Sequence, residues 1–365
     1  MNTKVINVPY VDIAGQHAPL KKELLDAIGR VIDHGIFVLG PEVEEFEAQF
    51  AKLCGTDYAV GVNSGTDALI LGLRALGIGD GDEVITAPNS FVASASCISL
   101  VGAVPVFADV GNDYNLDPDL VEAAITPKTK AILPVHLTGR SAQMAPLVDI
   151  ARDKGLFIVE DAAQAVFAEY RGQKVGSFGD VGCFSCHPLK TLNAMGDAGV
   201  VTTNDLEIVK RLRVLRNIGL ESRDNSIVWS GNSRLDTVQA AVLQVKLRFV
   251  EEWTEKRRAN AKFYQKELST LREYGFRVPD ERDDERAVYH TFVVRATRRE
   301  ELRKYLSEFG IGTAIHYPVP IHLHDAAAGM NCPIGSFPES ERQAGEILSL
   351  PVYPELSQEQ LKHVA

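Results

Sequence analysis

The feature that most constrains the fold is an alternation of short apolar runs with helical segments through more than half of the chain. The apolar runs of strand length are Ala59–Val62, Glu83–Ala87, Val104–Asp109, Ala131–Val135, Leu156–Glu160, Gly182–Ser185 and Gly199–Thr202. Helical patterns lie between several of them, at Thr66–Leu76, Asp117–Ile125 and Met144–Lys154. This alternation is typical of a mostly parallel sheet with helices on both faces and right-handed crossovers. The sequence therefore predicts an α/β fold.

The last third of the chain has a different pattern. Apolar residues recur at helical spacing over Leu235–Phe249, before the charged sequence EEWTEKRR, which predicts a helix that links two domains. Beyond this helix, Tyr289–Arg295 alternates like a strand and Glu300–Phe309 has a helical pattern. The 365 residues also suit about two domains. We expect a large α/β domain over residues 1–250 and a smaller C-terminal α+β domain over residues 251–365.

The charge balance excludes some classes of partner. The chain has 49 acidic and 38 basic residues, a net charge of −11, which repels nucleic acid and anionic lipid over most of the surface. Val84–Ala108 lacks formal charges, but its prolines and serines favour a buried strand–helix–strand unit over a membrane span. The N-terminal sequence lacks the apolar run of a signal peptide. We expect a cytoplasmic protein that binds neither nucleic acid nor membrane.

The cysteines give one misleading motif. Five cysteines are few and odd in number for this length, so a disulfide framework is not expected. The segment from Cys183 to His187 matches the C-x-x-C-H pattern of covalent haem attachment. That attachment takes place outside the cytoplasm, so we favour two small thiols that share a strand. No metal site is predicted.

Polar groups follow three of the predicted strands, at the edge where open α/β sheets bind ligands. Asn63–Asp67 (NSGTD) opens a helix and offers an anion site, or simply a helix cap. Asp161 follows Glu160 as a carboxylate at the crevice, or as another cap. Lys190 lies among small and apolar residues, where burial would lower the pKa of its amine, although most lysines are merely solvated.

These groups together match the needs of pyridoxal phosphate (PLP). An anion site suits the phosphate, a carboxylate suits the pyridinium nitrogen, and a lysine suits the Schiff base. Phe91 follows another strand and either stacks on the cofactor ring or packs in the core. The combination therefore predicts a cofactor site that no single motif would establish.

Several segments together resemble one enzyme family. They are NSGTDAL (Asn63–Leu69), PNSFVASA (Pro88–Ala95), VEDAAQA (Val159–Ala165), FSCHPLKTLNAMGDAG (Phe184–Gly199), GNSRLDTVQAAVL (Gly231–Leu243) and IHYPVPIHLH (Ile315–His324). In this order they are similar to the DegT/StrS-type sugar aminotransferases, which are fold-type-I PLP enzymes. One departure is Cys186, which stands where the family more often has a bulky aromatic residue.

The resemblance implies roles for the cofactor-binding residues. Lys190 would form the Schiff base, Asp161 would pair with the pyridinium nitrogen, and Gln164 would lie against the ring oxygen. Phe91 would lie against the ring face. The phosphate would be held by Gly65, Thr66, Ser185 and, from a second subunit, Asn232. The last of these implies a homodimer with shared active sites.

The resemblance also implies a substrate side. The residues expected there are His187, Arg234, His316, Tyr317 and His322. Arg234 is included because a nucleotide diphosphate sugar needs positive groups at the crevice against the acidic background.

The implied reaction is a ping-pong transfer of an amino group, with pyridoxamine phosphate (PMP) as the intermediate form of the cofactor. The amino group would pass from L-glutamate to a keto group, at C3, of a dTDP- or UDP-linked deoxysugar. Action at C4 is the nearest alternative. A PMP-dependent sugar dehydratase of the same fold would have histidine in place of Lys190, and a non-catalytic regulator would not need this lysine.

Overall fold

The structure is a computed structural model that describes residues 6–365, in which thirteen α-helices occur. They are α1 (Ile13–His17), α2 (Lys21–His34), α3 (Pro41–Cys54), α4 (Gly65–Ala75), α5 (Ala93–Leu100), α6 (Pro118–Ala123), α7 (Met144–Lys154), α8 (Leu206–Arg216), α9 (Thr237–Leu247), α10 (Val250–Leu268), α11 (Arg299–Glu308), α12 (Pro338–Glu346) and α13 (Gln358–Val364). Short 3₁₀ helices cover Ala18–Leu20, Leu137–Gly139, Ser269–Tyr274, Ile321–Leu323 and Asp325–Met330.

The same residues contain fifteen strands, several of them only two residues long. They are β1 (Tyr58–Val62), β2 (Glu83–Thr86), β3 (Val104–Phe107), β4 (Thr129–Leu133), β5 (Phe157–Asp161), β6 (Glu169–Tyr170), β7 (Gln173–Lys174), β8 (Val181–Ser185), β9 (Gly199–Thr203), β10 (Leu220–Ser222), β11 (Asn225–Ser226), β12 (Phe276–Arg277), β13 (Glu285–Arg286), β14 (Phe292–Ala296) and β15 (Ile347–Leu350). All seven predicted strands of the large sheet are present, with ends shifted by up to two residues.

The central sheet has seven strands in the order β1-β9-β8-β5-β4-β2-β3. The strands from β8 to β3 pair in parallel, whereas β9 runs antiparallel to both of its neighbours. In this antiparallel register Gly199, the first residue of β9, pairs with Val62 and Ser185, the last residues of β1 and β8. The beginning of β9 therefore lies at the same edge as the carboxyl ends of the parallel strands. The predicted mostly parallel sheet is confirmed.

Both faces of this sheet are buried beneath helices. Successive side chains of a strand point to opposite faces, so each strand contributes to a core cluster on either side. On one face Val84 and Val159 pack in a core cluster with residues of α4 and α8. On the other face Ile85 and Ile158 pack with Leu147 of α7. The segment Val84–Ala108 is thus the expected buried strand–helix–strand unit, formed by β2, α5 and β3. No helix in the described part of the chain has both the length and the apolarity needed to cross a membrane.

The C-terminal region has its own core. Strands β12, β14 and β15 form a three-stranded antiparallel sheet, against which α10 packs Ala261, Tyr264 and Leu268. Val8 belongs to this cluster and pairs with Ile311, so residues near the N-terminus pack on the C-terminal core. The predicted division at residue 250 coincides with the first residue of α10, and it stays a prediction.

The helix predicted over Leu235–Phe249 corresponds to α9, which covers Thr237–Leu247. Helix α9 ends at Leu247, and a new helix, α10, begins at Val250. The N–H of Phe249 donates to the carbonyl of Lys246 at 2.9 Å, which closes a tight turn between the two helices. The apolar period continues through this turn, which is why the sequence pattern does not show the break.

Candidate active site

A cavity of about 390 Å³ lies at the carboxyl edge of the central sheet. It is enclosed by the ends of β1, β5 and β8 and by residues from the C-terminal region. Ten of the predicted site residues line it: Gly65, Thr66, Phe91, Asp161, Gln164, Ser185, His187, Lys190, His316 and Tyr317. The structure therefore brings together most of the residues that the sequence placed in one site.

Asp161 is held rigidly at the end of β5. Its carboxylate accepts hydrogen bonds from the Oγ of Ser94 at 2.8 Å and from the backbone N–H of Ala163 at 3.1 Å. Burial raises the pKa of Asp161 above its ordinary value, and these two hydrogen bonds act in the opposite direction. The neighbouring Glu160 points to the other side of the strand, where it accepts from three backbone N–H groups and contacts His136. Asp161 is thus the carboxylate that faces the cavity.

The N-terminus of α4 forms a cup for an anion. The side chain of Ser64 caps the helix by accepting from the N–H of Asp67 at 3.0 Å. The N–H groups of Gly65 and Thr66 donate to no acceptor within residues 6–365. Unpaired N–H groups at a helix N-terminus, with the positive end of the helix dipole, favour a phosphate. Ser185, at the end of β8, lines the same part of the cavity.

Lys190 lies in a loop that follows β8 and has no regular secondary structure. Within the described residues its ammonium donates no hydrogen bond. Burial lowers the pKa of Lys190 to about 8, although Asp161 and Cys186 act in the opposite direction. About a tenth of this amine is therefore unprotonated at pH 7, far more than for an ordinary lysine, as a Schiff-base lysine requires.

Gln164, Tyr317 and Phe91 form one wall of the cavity. The side-chain amide of Gln164 donates to the Tyr317 hydroxyl at 3.2 Å, and its Oε1 accepts from the N–H of Thr138 at 2.8 Å. The rings of Phe91 and Tyr317 are 5.7 Å apart between centroids. Phe91 remains 53% exposed, so a ring bound in the cavity can still pack against it.

The two histidines of the cavity have different environments. The Nδ1 of His316 contacts the Oγ of Ser349 at 2.9 Å, and its ring stacks on Tyr10 with centroids 5.7 Å apart. Burial, and next the charge of Lys190, lower the pKa of His316 to about 4, so this imidazole is neutral. His187 is exposed, and its Nδ1 accepts from the N–H of Leu189 at 3.3 Å.

The structure does not bring His322 into the cavity, which corrects the expectation that it lines the substrate side. His322 is buried, its Nε2 contacts Glu341 at 3.1 Å, and its ring packs edge-on against Phe337 with centroids 4.7 Å apart. These partners hold the imidazole behind the cavity wall, although its buried Nδ1 has no hydrogen-bond partner among the described residues. It is a structural histidine.

Asn232 and Arg234 also lie outside the cavity of their own chain. The Nε of Arg234 donates to the Oδ1 of Asn232 at 2.8 Å, and its Nη1 donates to Asn217 at 3.3 Å. Asn232 is exposed. The predicted role of Asn232 requires a second subunit, and it stays a prediction.

Among the polar cavity residues that sequence reasoning missed are Tyr10, Ser94, Arg257 and His290. Arg257 was hidden in the charged sequence EEWTEKRR, although it shares a helical face with the buried Val250, Trp253 and Tyr264. That periodicity could have identified it. Ser94 lies within the PNSFVASA segment, whereas Tyr10 and His290 come from distant parts of the chain and carry no local pattern.

The haem-like motif has an ordinary structural explanation. Cys183 and Cys186 are buried, and the thiol of Cys183 donates to the carbonyl of Ala68 at 3.3 Å. Burial raises the pKa of Cys186 to about 12. Cys186 packs with Phe184 and Leu192 beneath the lysine loop and does not line the cavity, so this departure from the family pattern leaves the cavity wall unchanged.

Gly199 is required for the shape of the anion cup, and Gly199→Ala is expected to damage it. A Cβ at this position would lie 2.2 Å from the carbonyl oxygen of Ser64 and 2.9 Å from the nitrogen of Gly65, both backbone atoms. The start of α4 would have to move, which costs about 1–3 kcal/mol of stability and weakens PLP binding. Thermal unfolding and a fluorescence titration with PLP measure the two effects.

Gly29→Ala is the matched control for this substitution. Gly29 lies inside α2, and an added Cβ meets no atom within 4 Å. Alanine there should leave PLP affinity unchanged and increase stability by up to about 1 kcal/mol. Equal PLP affinities for Gly199→Ala and Gly29→Ala would show that the cup does not hold the phosphate.

The residues of the cavity fit PLP. Two unpaired N–H groups and a serine hydroxyl suit the phosphate, and the buried carboxylate of Asp161 faces the same cavity as the unpaired amine of Lys190. Phe91 offers an exposed aromatic face to the ring. This donor set combines anion binding, a pyridinium partner and a nucleophilic amine in one place.

Comparisons with known proteins identify the family of the chain. The model of the DegT/DnrJ/EryC1/StrS aminotransferase family matches residues 19–365. A relative from Streptomyces venezuelae, dTDP-3-amino-3,4,6-trideoxy-alpha-D-glucose transaminase, is 48% identical over 358 residues, covering 98% of this chain and 94% of the relative. The erythromycin biosynthesis sensory transduction protein EryC1 of Saccharopolyspora erythraea is 45% identical over 360 residues, covering 98% of each protein.

The fold comparison gives the same result. The crystal structure of S. venezuelae DesV in complex with a ketimine intermediate is similar, with a TM-score of 0.95 at 48% identity, covering 98% of this chain and 96% of that chain. The predicted fold-type-I architecture is therefore confirmed. The chain belongs to the DegT/DnrJ/EryC1/StrS aminotransferase family.

Proposed function

We propose that this protein is a PLP-dependent aminotransferase that moves an amino group from L-glutamate to C3 of a dTDP- or UDP-linked keto-deoxysugar. The observation that carries the reaction class is that Lys190, Asp161 and the N-terminus of α4 face one cavity. The name of the Streptomyces relative, a dTDP-3-amino sugar transaminase, supports the sugar class and the carbon. The choice of L-glutamate comes from the family resemblance.

PLP, when bound, supplies an aromatic system that accepts electrons released at the substrate. Lys190 would act as general base at the Cα of the amino donor and as general acid at the carbon of the acceptor that gains the amine. Its low pKa suits both directions near neutral pH. Asp161 would pair with the ring nitrogen of PLP, and Gln164 and Phe91 would hold the ring. The N–H groups of Gly65 and Thr66 and the Ser185 hydroxyl hold the phosphate.

The environment of Arg257 favours the binding of an anionic substrate. Its buried guanidinium lines the cavity, and its Nη1 donates to the carbonyls of Tyr289 at 3.3 Å and His290 at 3.4 Å. Its Nε has no hydrogen-bond partner within residues 6–365. No carboxylate of the described residues lies within 4.0 Å of it. Such a cation attracts the carboxylates of glutamate or the diphosphate of a nucleotide sugar, although the chain as a whole is acidic.

The test of the proposed function is a product assay. The purified protein is incubated with PLP, L-glutamate and a panel of dTDP- and UDP-linked 3-keto and 4-keto deoxysugars, and products are identified by mass spectrometry and NMR. An amine at C3 is the expected product. An amine at C4 alone would replace the C3 assignment with the C4 alternative, and release of water without an amine would indicate a dehydratase.

A regulatory role is the second candidate, because one relative is named a sensory transduction protein. A regulator has no need of an amine at the position of Lys190. Borohydride reduction followed by peptide mapping distinguishes the two. A pyridoxyl adduct on Lys190 is expected, and its absence would favour the regulator.

A homodimer with shared active sites is part of the proposed function. The segment that leads to Asn232 exposes three apolar side chains in succession, with Ile227 56%, Val228 39% and Trp229 91% exposed. Arg74 holds this segment through the carbonyl of Trp229 at 2.7 Å. An exposed apolar run beside a residue that the cavity lacks suits a second copy of the chain, which would bury the run and deliver Asn232.

Trp229→Asp is expected to dissociate this dimer and therefore to abolish the activity. A charge in place of a central aromatic residue costs an interface about 2 kcal/mol or more. Sedimentation velocity over a range of concentrations measures the change. Tyr274→Asp is the control, because Tyr274 is 74% exposed and lies in a different region, the Ser269–Tyr274 helix. A Trp229→Asp protein that sediments like wild type would remove this face from the interface.

The cytoplasmic location stays a prediction from cysteine usage. All five cysteines are free thiols, and four of them are buried. A fractionation experiment would test it.

A further inference from the structure

Lys246 is the most unusual charged residue outside the cavity. It lies on α9, where its neighbours Val242, Leu243 and Val245 are apolar, and its own side chain is 0% exposed. A fully buried ammonium is costly unless every donor finds an acceptor. Burial lowers the pKa of Lys246 to about 8. Lys246 does not line the cavity, so the reaction itself does not explain why this charge is buried.

The three donors of the Lys246 ammonium have three acceptors. The Nζ lies 2.8 Å from the carbonyl oxygen of Asn193, 2.5 Å from its Oδ1 and 2.7 Å from the Nε2 of His17. Burial, and next the charge of Lys246, lower the pKa of His17, so its imidazole is neutral and accepts. The thiol of Cys186 also stays neutral, because burial raises its pKa to about 12. No carboxylate of residues 6–365 lies within 4.0 Å of this ammonium.

Asn193 connects this ammonium to Lys190. Its Nδ2 donates to the carbonyl of Lys190 at 3.1 Å and to the Oε1 of Gln16 at 2.9 Å. The other main-chain contact of Lys190 is its N–H, which donates to the carbonyl of His187 at 2.8 Å. Because this loop has no helix or strand, these two hydrogen bonds hold the backbone from which the Lys190 side chain extends.

The Lys246 ammonium, which can only donate hydrogen bonds, determines the orientation of the Asn193 side-chain amide. The two ends of the amide have nearly the same shape, but only the oxygen can accept from an ammonium. Lys246 therefore selects the orientation in which Oδ1 faces α9 and Nδ2 faces the carbonyl of Lys190. In the flipped orientation two oxygens would face each other, and the bond to Lys190 would be lost. An apolar residue at position 246 would fill the space but would not select the orientation.

We propose that Lys246 is a positioning residue for Lys190: through Asn193 it fixes the backbone of the lysine loop and ties that loop to α1. The proposal rests on the proposed function only for the role of Lys190. Misplacement of a catalytic group by about 1 Å costs about 10²-fold in rate. Loss of this anchor should therefore slow proton transfer without weakening donor binding.

Asn193→Asp is the sharpest variant. The aspartate keeps an oxygen for the Lys246 ammonium, so the buried charge stays paired and the fold is expected to persist. It has no N–H to donate to the carbonyl of Lys190. We expect the rate of the half-reaction with saturating glutamate to fall about 10–100-fold, with an unchanged KM for glutamate and an unchanged ketosugar KM. Lys246→Met should have the same effect, and Lys246→Arg should restore part of the rate.

A spectroscopic readout separates positioning from stability. Lys190 faces the titratable groups Asp161, Cys186, His290 and His316. When the loop loosens, water reaches Lys190 and its pKa rises from about 8 toward its ordinary value. This rise belongs to the free amine and is measured in protein without PLP. The visible absorbance of PLP-loaded full-length protein follows the protonation of the Schiff base on Lys190, and its pH titration should also shift in Asn193→Asp and Lys246→Met. Lys210→Met, an exposed lysine on α8, is the control and should leave the titration unchanged.

A further readout does not depend on amino transfer. In full-length protein freed of PLP, the rate of Lys190 acetylation is followed against pH by mass spectrometry of the peptide. If wild-type protein does not react with glutamate, the proposed function fails, while the acetylation profile still tests the role of Lys246. If Asn193→Asp retains the wild-type titration and acetylation profile, the proposal is overturned, even when Lys246→Met does not fold.

Discussion

Lys190→Ala is expected to lower the rate of amino transfer by at least about 10⁴-fold, because one side chain supplies both the covalent attachment and the proton transfer. The fold should persist. The Lys190 ammonium donates no hydrogen bond within the described residues, so its removal leaves no acceptor unpaired. Loss of a desolvated amine, whose pKa burial lowers to about 8, should even relieve a cost at neutral pH.

The measurement is a single-turnover experiment with PLP-loaded protein and L-glutamate, followed by absorbance. Lys190→Ala protein should still bind PLP, because Ser185 and the N-terminus of α4 remain, but borohydride should produce no pyridoxyl adduct on the chain. Lys210→Ala is the matched control, with a wild-type rate expected from an exposed lysine. A Lys190→Ala protein that transfers amino groups at the wild-type rate would rule out the assigned role of Lys190.

The sequence was sufficient to predict the sheet and the groups at the ends of its strands. Each of these groups is specified locally, since Ser64 directly follows a strand and caps a helix, and Asp161 is the last residue of a strand. In an open α/β sheet such positions converge at one edge whatever the loops do. That is why the sequence alone places Lys190, Asp161 and Gly65 in one site.

The remaining parts depend on packing between distant segments. His322 has the same motif context as His316, but Glu341 and Phe337 of the C-terminal region engage it behind the wall. Tyr10 reaches the cavity because the N-terminal segment packs on the C-terminal core. No local pattern encodes such contacts, since each depends on where two separate elements meet.

The sequence also did not show which arginine lies at the cavity. Because the net charge of the chain is −11, an anionic substrate needs a local positive group, and the sequence analysis placed that group at Arg234, near Asn232. The structure places Arg257 in the cavity instead, on α10, which begins after the helix predicted to link the two domains. Arg234 lies on the surface of the single chain, where only a second subunit could give it a site. Predicting which arginine serves the cavity therefore requires the tertiary and the quaternary structure.

Asp161→Asn is expected to lower the rate of both half-reactions by about 10²–10³-fold, the size of effect seen when one preorganised electrostatic partner is removed. Asparagine keeps an oxygen to accept from the N–H of Ala163, and its amide can donate to the Oγ of Ser94, which can rotate. The shape of the site is thus preserved while its negative charge is lost. Without that charge the ring nitrogen of PLP is less readily protonated, and electrons from the broken bond are less well stabilised.

The control for Asp161→Asn is Asp180→Asn, which neutralises another carboxylate that accepts from a backbone N–H, that of Ile158 at 2.8 Å, but that does not line the cavity. It should retain the wild-type rate. Since burial raises the pKa of Asp161, removing its charge should not destabilise the protein, and thermal unfolding should show an equal or higher midpoint. A large loss of rate with unchanged stability and PLP binding is the signature of an electrostatic role. An Asp161→Asn protein that keeps the wild-type rate would mean that the ring nitrogen does not face this carboxylate.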